Sequence, residues 1–151
     1  MTKEDIIFTA GFFLGESYIS VRLDMRGKFI GVVSISQLDR EPLDKLQRLW
    51  GGTIEVFKTN GKPSTWLWRC NGGKALLCLE AVLPVMRNWS AFNVERIEKY
   101  IEFYTLDSAN RRKRLWIIAW FQTNVKNHKR ACHEYIDACY EKEETNESMG
   151  V

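Results

Sequence analysis

The chain has 151 residues, the size of about one domain with room for a sizeable core, and a net charge of only +3, a total that makes no strong case for or against an acidic partner. An apolar share of 45% excludes a disordered polymer, and no apolar run reaches the roughly 18 residues of a membrane span. Four cysteines without a CxxC pair (Cys70, Cys78, Cys132, Cys139), and an amino terminus unlike a secretory leader, lead us to expect a soluble protein in a reducing, intracellular compartment.

Thr2 and Asp5 stand at the spacing of a reciprocal helix cap, so a helix is expected from there to about Leu14. From Ile6 to Leu14 the only residue that is neither apolar nor glycine is Thr9. Such a helix has to be covered on nearly all sides, and a small domain rarely surrounds its own first helix. A second copy of the chain is the simplest supply of the missing wall. Gly11 and Gly15, four apart, share a face on which two helix backbones can approach closely. The greasy run then ends on a carboxylate, Glu16.

In "YISVRLDMR" Ile19, Val21, Leu23 and Met25 alternate with Tyr18, Ser20, Arg22, Asp24 and Arg26, which predicts a half-buried strand. Gly27 and Lys28 turn the chain into a second strand, "FIGVVSISQ", in which Ser34 and Ser36 oppose Val33 and Ile35. Pro42 opens a short helix with Leu43, Leu46, Leu49 and Trp50 on its apolar face, and Gly51 and Gly52 close it. The pattern repeats: "TIEVFK" and "TWLWRC" read as strands around the turn "TNGKPS", and "GKALLCLEAVL" as a helix stopped by Pro84. Ser90 is placed to cap the helix "AFNVERIEKYIEFY", with Val94, Ile97, Ile101 and Tyr104 on one face. Helical patterns around "LWIIAWFQ" and "RACHEYIDACYEKEE" follow. The whole is α-β-β-α-β-β-α with one antiparallel sheet, an α+β core over 1–107 with a helical extension over 108–151 in the same domain.

The charge is unevenly placed. Between Asp107 and His133 lie Arg111, Arg112, Lys113, Arg114, Lys126, Lys129 and Arg130, with Asp107 the only acid. Beyond His133 acids dominate. A basic band of this kind suits a polyanion, and equally a solvated helical surface. Other chemistry is poorly represented. His128, Cys132, His133 and Cys139 have no zinc-site spacing, and P-loop, GxSxG and dinucleotide fingerprints do not occur. Six tryptophans speak for packing before base stacking.

"TAGFFLGES" resembles the signature of the LAGLIDADG homing endonucleases, with Ala10 and Gly11 matching and Glu16 at the position of the metal-binding acid. "SISQLDREPLDKLQRLWGG" and "GKALLCLEAVLP" are similar to later segments of that family in the expected order, so the resemblance spans roughly residues 5–105. It implies the LAGLIDADG fold with a curved antiparallel sheet. With a single motif, it also implies a homodimer packed through the motif helix at Ala10, Gly11 and Gly15. By the same resemblance Glu16 is catalytic and, with the carbonyl of Gly15, holds Mg²⁺ or Mn²⁺ beside the scissile phosphates.

The implied activity is a metal-dependent, staggered double-strand break at a specific DNA site. The sheet would lie in the major groove, with Tyr18, Ser20, Arg22, Asp24, Arg26, Ser34, Ser36, Gln37, Lys58 and Arg69 as candidate base contacts. Phosphate contacts are expected from Arg111, Arg112, Lys113, Arg114, Lys129 and Arg130. Leu14 replaces the motif's first acid, and "LPVMRNW" puts Trp89 where many relatives carry a lysine, with Arg87 close by. Two further readings on the same scaffold are a cleavage-deficient DNA-binding repressor and an RNA-binding intron-splicing factor.

Overall fold

A computed structural model describes residues 1–15, 17–23, 26, 28–107 and 110–123, with the backbone alone at 23, 111, 122 and 123. Glu16, Asp24 and everything beyond Thr123, including Lys129, Arg130 and the last expected helix, lie outside the described residues. The chain divides into two compact units between Tyr104 and Thr105.

The first unit follows the expected order. Helix α1 (Lys3–Phe13) starts at the predicted cap: Thr2 Oγ1 accepts from the Asp5 N–H at 3.1 Å, and the Asp5 carboxylate accepts from the Thr2 N–H at 3.2 Å. Strands β1 (Ser17–Leu23) and β2 (Phe29–Gln37) pair antiparallel, and after α2 (Glu41–Trp50) come β3 (Thr53–Phe57) and β4 (Thr65–Asn71). The four strands stand in the order β1-β2-β4-β3, all antiparallel. Gly51 and Gly52, at φ +81 and +90, close α2 as expected, and a side chain at Gly52 would strike the Arg69 carbonyl.

One face of the sheet carries Ile19, Val21, Val33, Ile35, Trp68 and Cys70, all buried. Against it lie Leu43 and Leu46 of α2, Ala75, Cys78, Leu79 and Val82 of α3 (Gly72–Met86), and Ile97 and Tyr100 of α4 (Ala91–Thr105), also buried. At roughly 25 cal/mol per Å² of apolar surface, this layer supplies most of the drive to fold. Hydrogen bonds tie the layers together: Trp50 Nε1 donates to Thr9 Oγ1 at 2.9 Å and Trp68 Nε1 to the Gly51 carbonyl at 2.9 Å.

Two expectations change. Helix α3 continues through Pro84 to Met86 instead of stopping before it. The missing proline N–H costs one hydrogen bond in the last turn, but the Arg87 N–H still reaches the Leu83 carbonyl, and Met86 gains full burial. On α4 the buried line runs Ile97, Tyr100 and Phe103, so Val94, Ile101 and Tyr104 flank the packed face instead of forming it. Ser90 caps this helix through its Oγ and the Asn93 N–H.

In the second unit, α5 (Arg111–Thr123) buries Leu115, Ile117, Ile118, Ala119 and Phe121 and exposes Arg112, Lys113 and Trp116. Among the described residues, no helix is long and apolar enough to cross a membrane.

Candidate functional site

The face of the sheet opposite the helices is the other half of each strand's alternation. The register aligns Tyr18, Ser34, Arg69 and Thr53 in one row across all four strands. A second row joins Ser36, Leu67 and Glu55, and Arg22 stands opposite Ile30. Tyr18 and Arg22 are exposed, Ser34, Ser36 and Arg69 half-exposed. The Arg69 guanidinium sits 3.6 Å from the Glu55 carboxylate, a solvent-exposed pair worth at most about 1 kcal/mol. Such a pair aims the arginine fork more than it stabilises the fold. Glu55, Thr53 and Asn71 belong to this face and were not singled out from the sequence. The outward parity of β3 and β4 could have found them.

Several expected contacts stand elsewhere. Ser20 shares the face by alternation but is buried, as is Val32 opposite it. Gln37 alternates to the helical side, opposite Trp66. Lys58 is exposed just beyond β3, and Arg26 is exposed in the turn after β1. In the basic band Arg112 and Lys113 are exposed, whereas Arg114 is half-buried and donates to the Leu106 carbonyl.

The row Tyr18–Thr53 starts next to the end of α1. The last turn of that helix closes with the Gly15 N–H donating to the Phe12 carbonyl, and the Ser17 N–H donates to the Gly15 carbonyl at 3.0 Å. A carbonyl oxygen has two lone pairs, so the Gly15 oxygen keeps acceptor capacity for a hard cation. Among the described residues no three His, Cys, Asp or Glu side chains gather as a metal site. The oxygen donors that the motif assigns here, the Glu16 carboxylate and the Gly15 carbonyl, are of the type Mg²⁺ prefers, and they make fewer ligands than it needs. A complete shell would take further oxygens from a second copy or from phosphate.

The outer side of α1 is uncovered in the single chain. Thr9, Ala10 and Phe13 are buried in the chain, but Ile7 is 40% and Leu14 49% exposed, with Gly11 and Gly15 exposed between and beside them. Ala10, expected at a dimer contact, is fully buried within its own chain and has no surface left to offer. A Cβ built at Gly11 or Gly15 meets nothing within 4 Å, and neither has a positive φ. Nothing inside the chain therefore asks for glycine at these positions, although glycine inside a helix costs about 1 kcal/mol against alanine.

Trp89 is 45% exposed after α3, and Arg87 is drawn to Glu98 at 3.7 Å. Cys70 and Cys78 are buried thiols whose ionisation burial pushes up, so neither is a nucleophile.

No protein-family model matches the sequence, and no curated protein does. Solved structures match in fold. The homing endonuclease I-CvuI, in complex with its target, aligns with a TM-score of 0.62 at 14% identity, covering 90% of this chain and 98% of I-CvuI. The archaeal intron-encoded homing endonuclease I-Vdi141I, complexed with DNA, gives 0.61 at 17% identity over 89% of this chain and 98% of its own. The homing endonuclease I-TnaI gives 0.59 at 19% identity, covering 87% and 97%. The chain has the LAGLIDADG homing endonuclease fold, and the resemblance read from its sequence stands at that level. At identities this low, residue roles rest on this chain's own geometry.

Proposed function

We propose that the protein is a site-specific endonuclease for double-stranded DNA that works as a homodimer joined through α1. One observation carries the reading: the polar sheet face begins at Tyr18, in the strand that starts at Ser17 directly after the motif glycine and acid. A surface suited to base edges is thereby fixed to the end of a helix whose outer face is uncovered. Two-fold symmetry through that helix would bring two Glu16 carboxylates to one axis, one for each DNA strand.

On this reading Arg22 and Arg69 read guanine, Tyr18 and Ser34 contact neighbouring base edges or backbone, and Arg112 and Lys113 hold phosphates without regard to sequence. Glu16 and the Gly15 carbonyl would hold Mg²⁺ or Mn²⁺, which when bound lowers the pKa of a water and neutralises charge on the phosphate. The chain's own part is to place the carboxylate at a phosphate, align the duplex along the sheet and keep its bases in register.

A second reading, a DNA-binding repressor that does not cut, is favoured by Trp89, which puts an indole where many relatives carry a cation. Incubation of a plasmid library with and without Mg²⁺ separates the two. Endonuclease activity gives Mg²⁺-dependent linear products at one site, and a repressor gives retained, uncut DNA.

A further inference from the structure

We propose that Glu55 is a specificity-determining residue: together with Arg69 it reads one G·C pair, Arg69 taking the guanine and Glu55 the amino group of the cytosine. The inference rests on the DNA-binding part of the reading above and assigns a task to a side chain whose charge is wrong for a polyanion.

The placement is specific. Among the described residues Glu55 is the only acid in the four strands, and Arg22 and Arg69 are their only cations. The register puts Glu55 opposite Leu67 and Thr53 opposite Arg69, so Glu55 and Arg69 are diagonal neighbours on the outward face. Their side chains are 46% and 36% exposed, and a Glu55 carboxylate oxygen lies 3.6 Å from Arg69 Nη1. That distance suits an ion pair and is too long for a hydrogen bond. The contact therefore uses up neither the arginine's donors nor the carboxylate's lone pairs.

Stability does not account for the acid. Glutamate is disfavoured in strands, and an exposed ion pair contributes little. On a face turned to DNA, a carboxylate also weakens attraction to every phosphate, whatever the sequence. Its chemistry fits a base edge instead. In the major groove guanine shows two acceptors, N7 and O6, and its cytosine shows a donor, the N4 amino group. An arginine fork beside a carboxylate offers the complementary set. Thymine or guanine in the cytosine's place would turn a carbonyl oxygen toward Glu55, a repulsion that rejects the wrong base.

The test is site selection from a randomised duplex in Ca²⁺ with wild type, Arg69→Ala, Glu55→Gln and Glu55→Ala. Affinity is then measured for the selected site with its cytosine replaced by N4-methylcytosine. That base still pairs with guanine but carries a methyl group where the amino hydrogen faces the groove. Wild type should select a G·C pair at one position, and Arg69→Ala and Glu55→Gln should each relax it, losing roughly tenfold in discrimination. Glu55→Gln should bind unrelated duplex at least as well as wild type. Methylation should weaken wild type roughly tenfold and leave Glu55→Ala unchanged. A carboxylate that only orients Arg69 predicts the same methylation penalty in wild type and Glu55→Ala, and that result overturns the proposal. Relaxation at a position that Arg69→Ala leaves alone overturns it too. Glu55 is exposed, so both variants should melt near wild type; should either fail to fold, the other carries both measurements. Wild type that binds no duplex removes the parent reading as well. Wild type that selects a site which the Glu55 variants share unchanged removes Glu55 alone.

Discussion

The ring of Tyr100 occupies the space that a side chain at Gly31 would need: a Cβ there would come within 2.5 Å of the phenol. The Gly31 N–H donates to the neighbouring Tyr104 hydroxyl at 2.8 Å, and the Tyr100 hydroxyl donates to the Gly72 carbonyl at 3.0 Å. Burial and the adjacent Tyr104 push the Tyr100 phenol far above its ordinary range, so it stays a neutral donor at any working pH. This contact locks α4 onto the back of the sheet. Gly31→Ala should lower unfolding stability by about 1–3 kcal/mol in urea titration, as overpacking does. Stability equal to wild type would show that α4 is free to shift.

Gly11 predicts a change of sign. Its Cβ position is open in the isolated chain, so Gly11→Ala should stabilise the dilute monomer by up to about 1 kcal/mol. The same methyl should weaken the proposed dimer, and Gly11→Leu should abolish it in sedimentation. A Gly11→Leu variant that stays a DNA-binding dimer would place the interface elsewhere.

Base reading and phosphate holding should separate cleanly. Arg22→Ala and Arg69→Ala should change base preference at particular positions in a site selection, each bidentate contact being worth about 1–3 kcal/mol of discrimination. Lys113→Ala should weaken every sequence alike and lower the salt slope by about one. Identical preferences for Arg22→Ala and wild type would remove the sheet from recognition.

Asp5 carries a pH signature. Hydrogen bonds from Thr2 are the first cause holding its carboxyl below the usual value, with Lys45, 3.6 Å away, adding to them. A carboxyl depressed by folding stabilises above its unfolded pKa, and that contribution is lost as pH falls through the folded one. Thr2→Pro, which removes the backbone donor that Thr2→Ala would keep, should move the Asp5 titration upward toward 3.8, followed by carboxyl NMR shifts. An unmoved titration would mean that the cap does not govern the charge.

Much of this fold can be read from local pattern. The Thr2–Asp5 cap, the alternation from Tyr18 to Arg22, Pro42 before its helix and the paired Gly51–Gly52 are short-range signals, and each matches an observed element. What was not legible depends on packing at a distance. Pro84 is carried inside a helix because the buried Met86 rewards the extra turn, and Tyr100 turns inward because Gly31, far away in sequence, leaves room. Of the site, the two glycines of α1 and the outward Tyr18 and Arg22 follow from spacing alone, whereas spacing leaves open which face of "TWLWRC" turns outward, and the register settles that for Arg69. The burial of Ser20 and Ala10 and the Glu55 partner of Arg69 require the third dimension.

The most direct test of the account is cleavage of the selected DNA site by Glu16→Gln beside wild type, in Mg²⁺ and in Ca²⁺. The substitution keeps size and removes the charge proposed to neutralise a divalent cation. Wild type should cut in Mg²⁺ and bind without cutting in Ca²⁺. Glu16→Gln should bind within a few-fold of wild type and lose cleavage by orders of magnitude. Cleavage by Glu16→Gln at the wild-type rate, or a wild type that binds its site and never cuts it in Mg²⁺, would contradict the assignment.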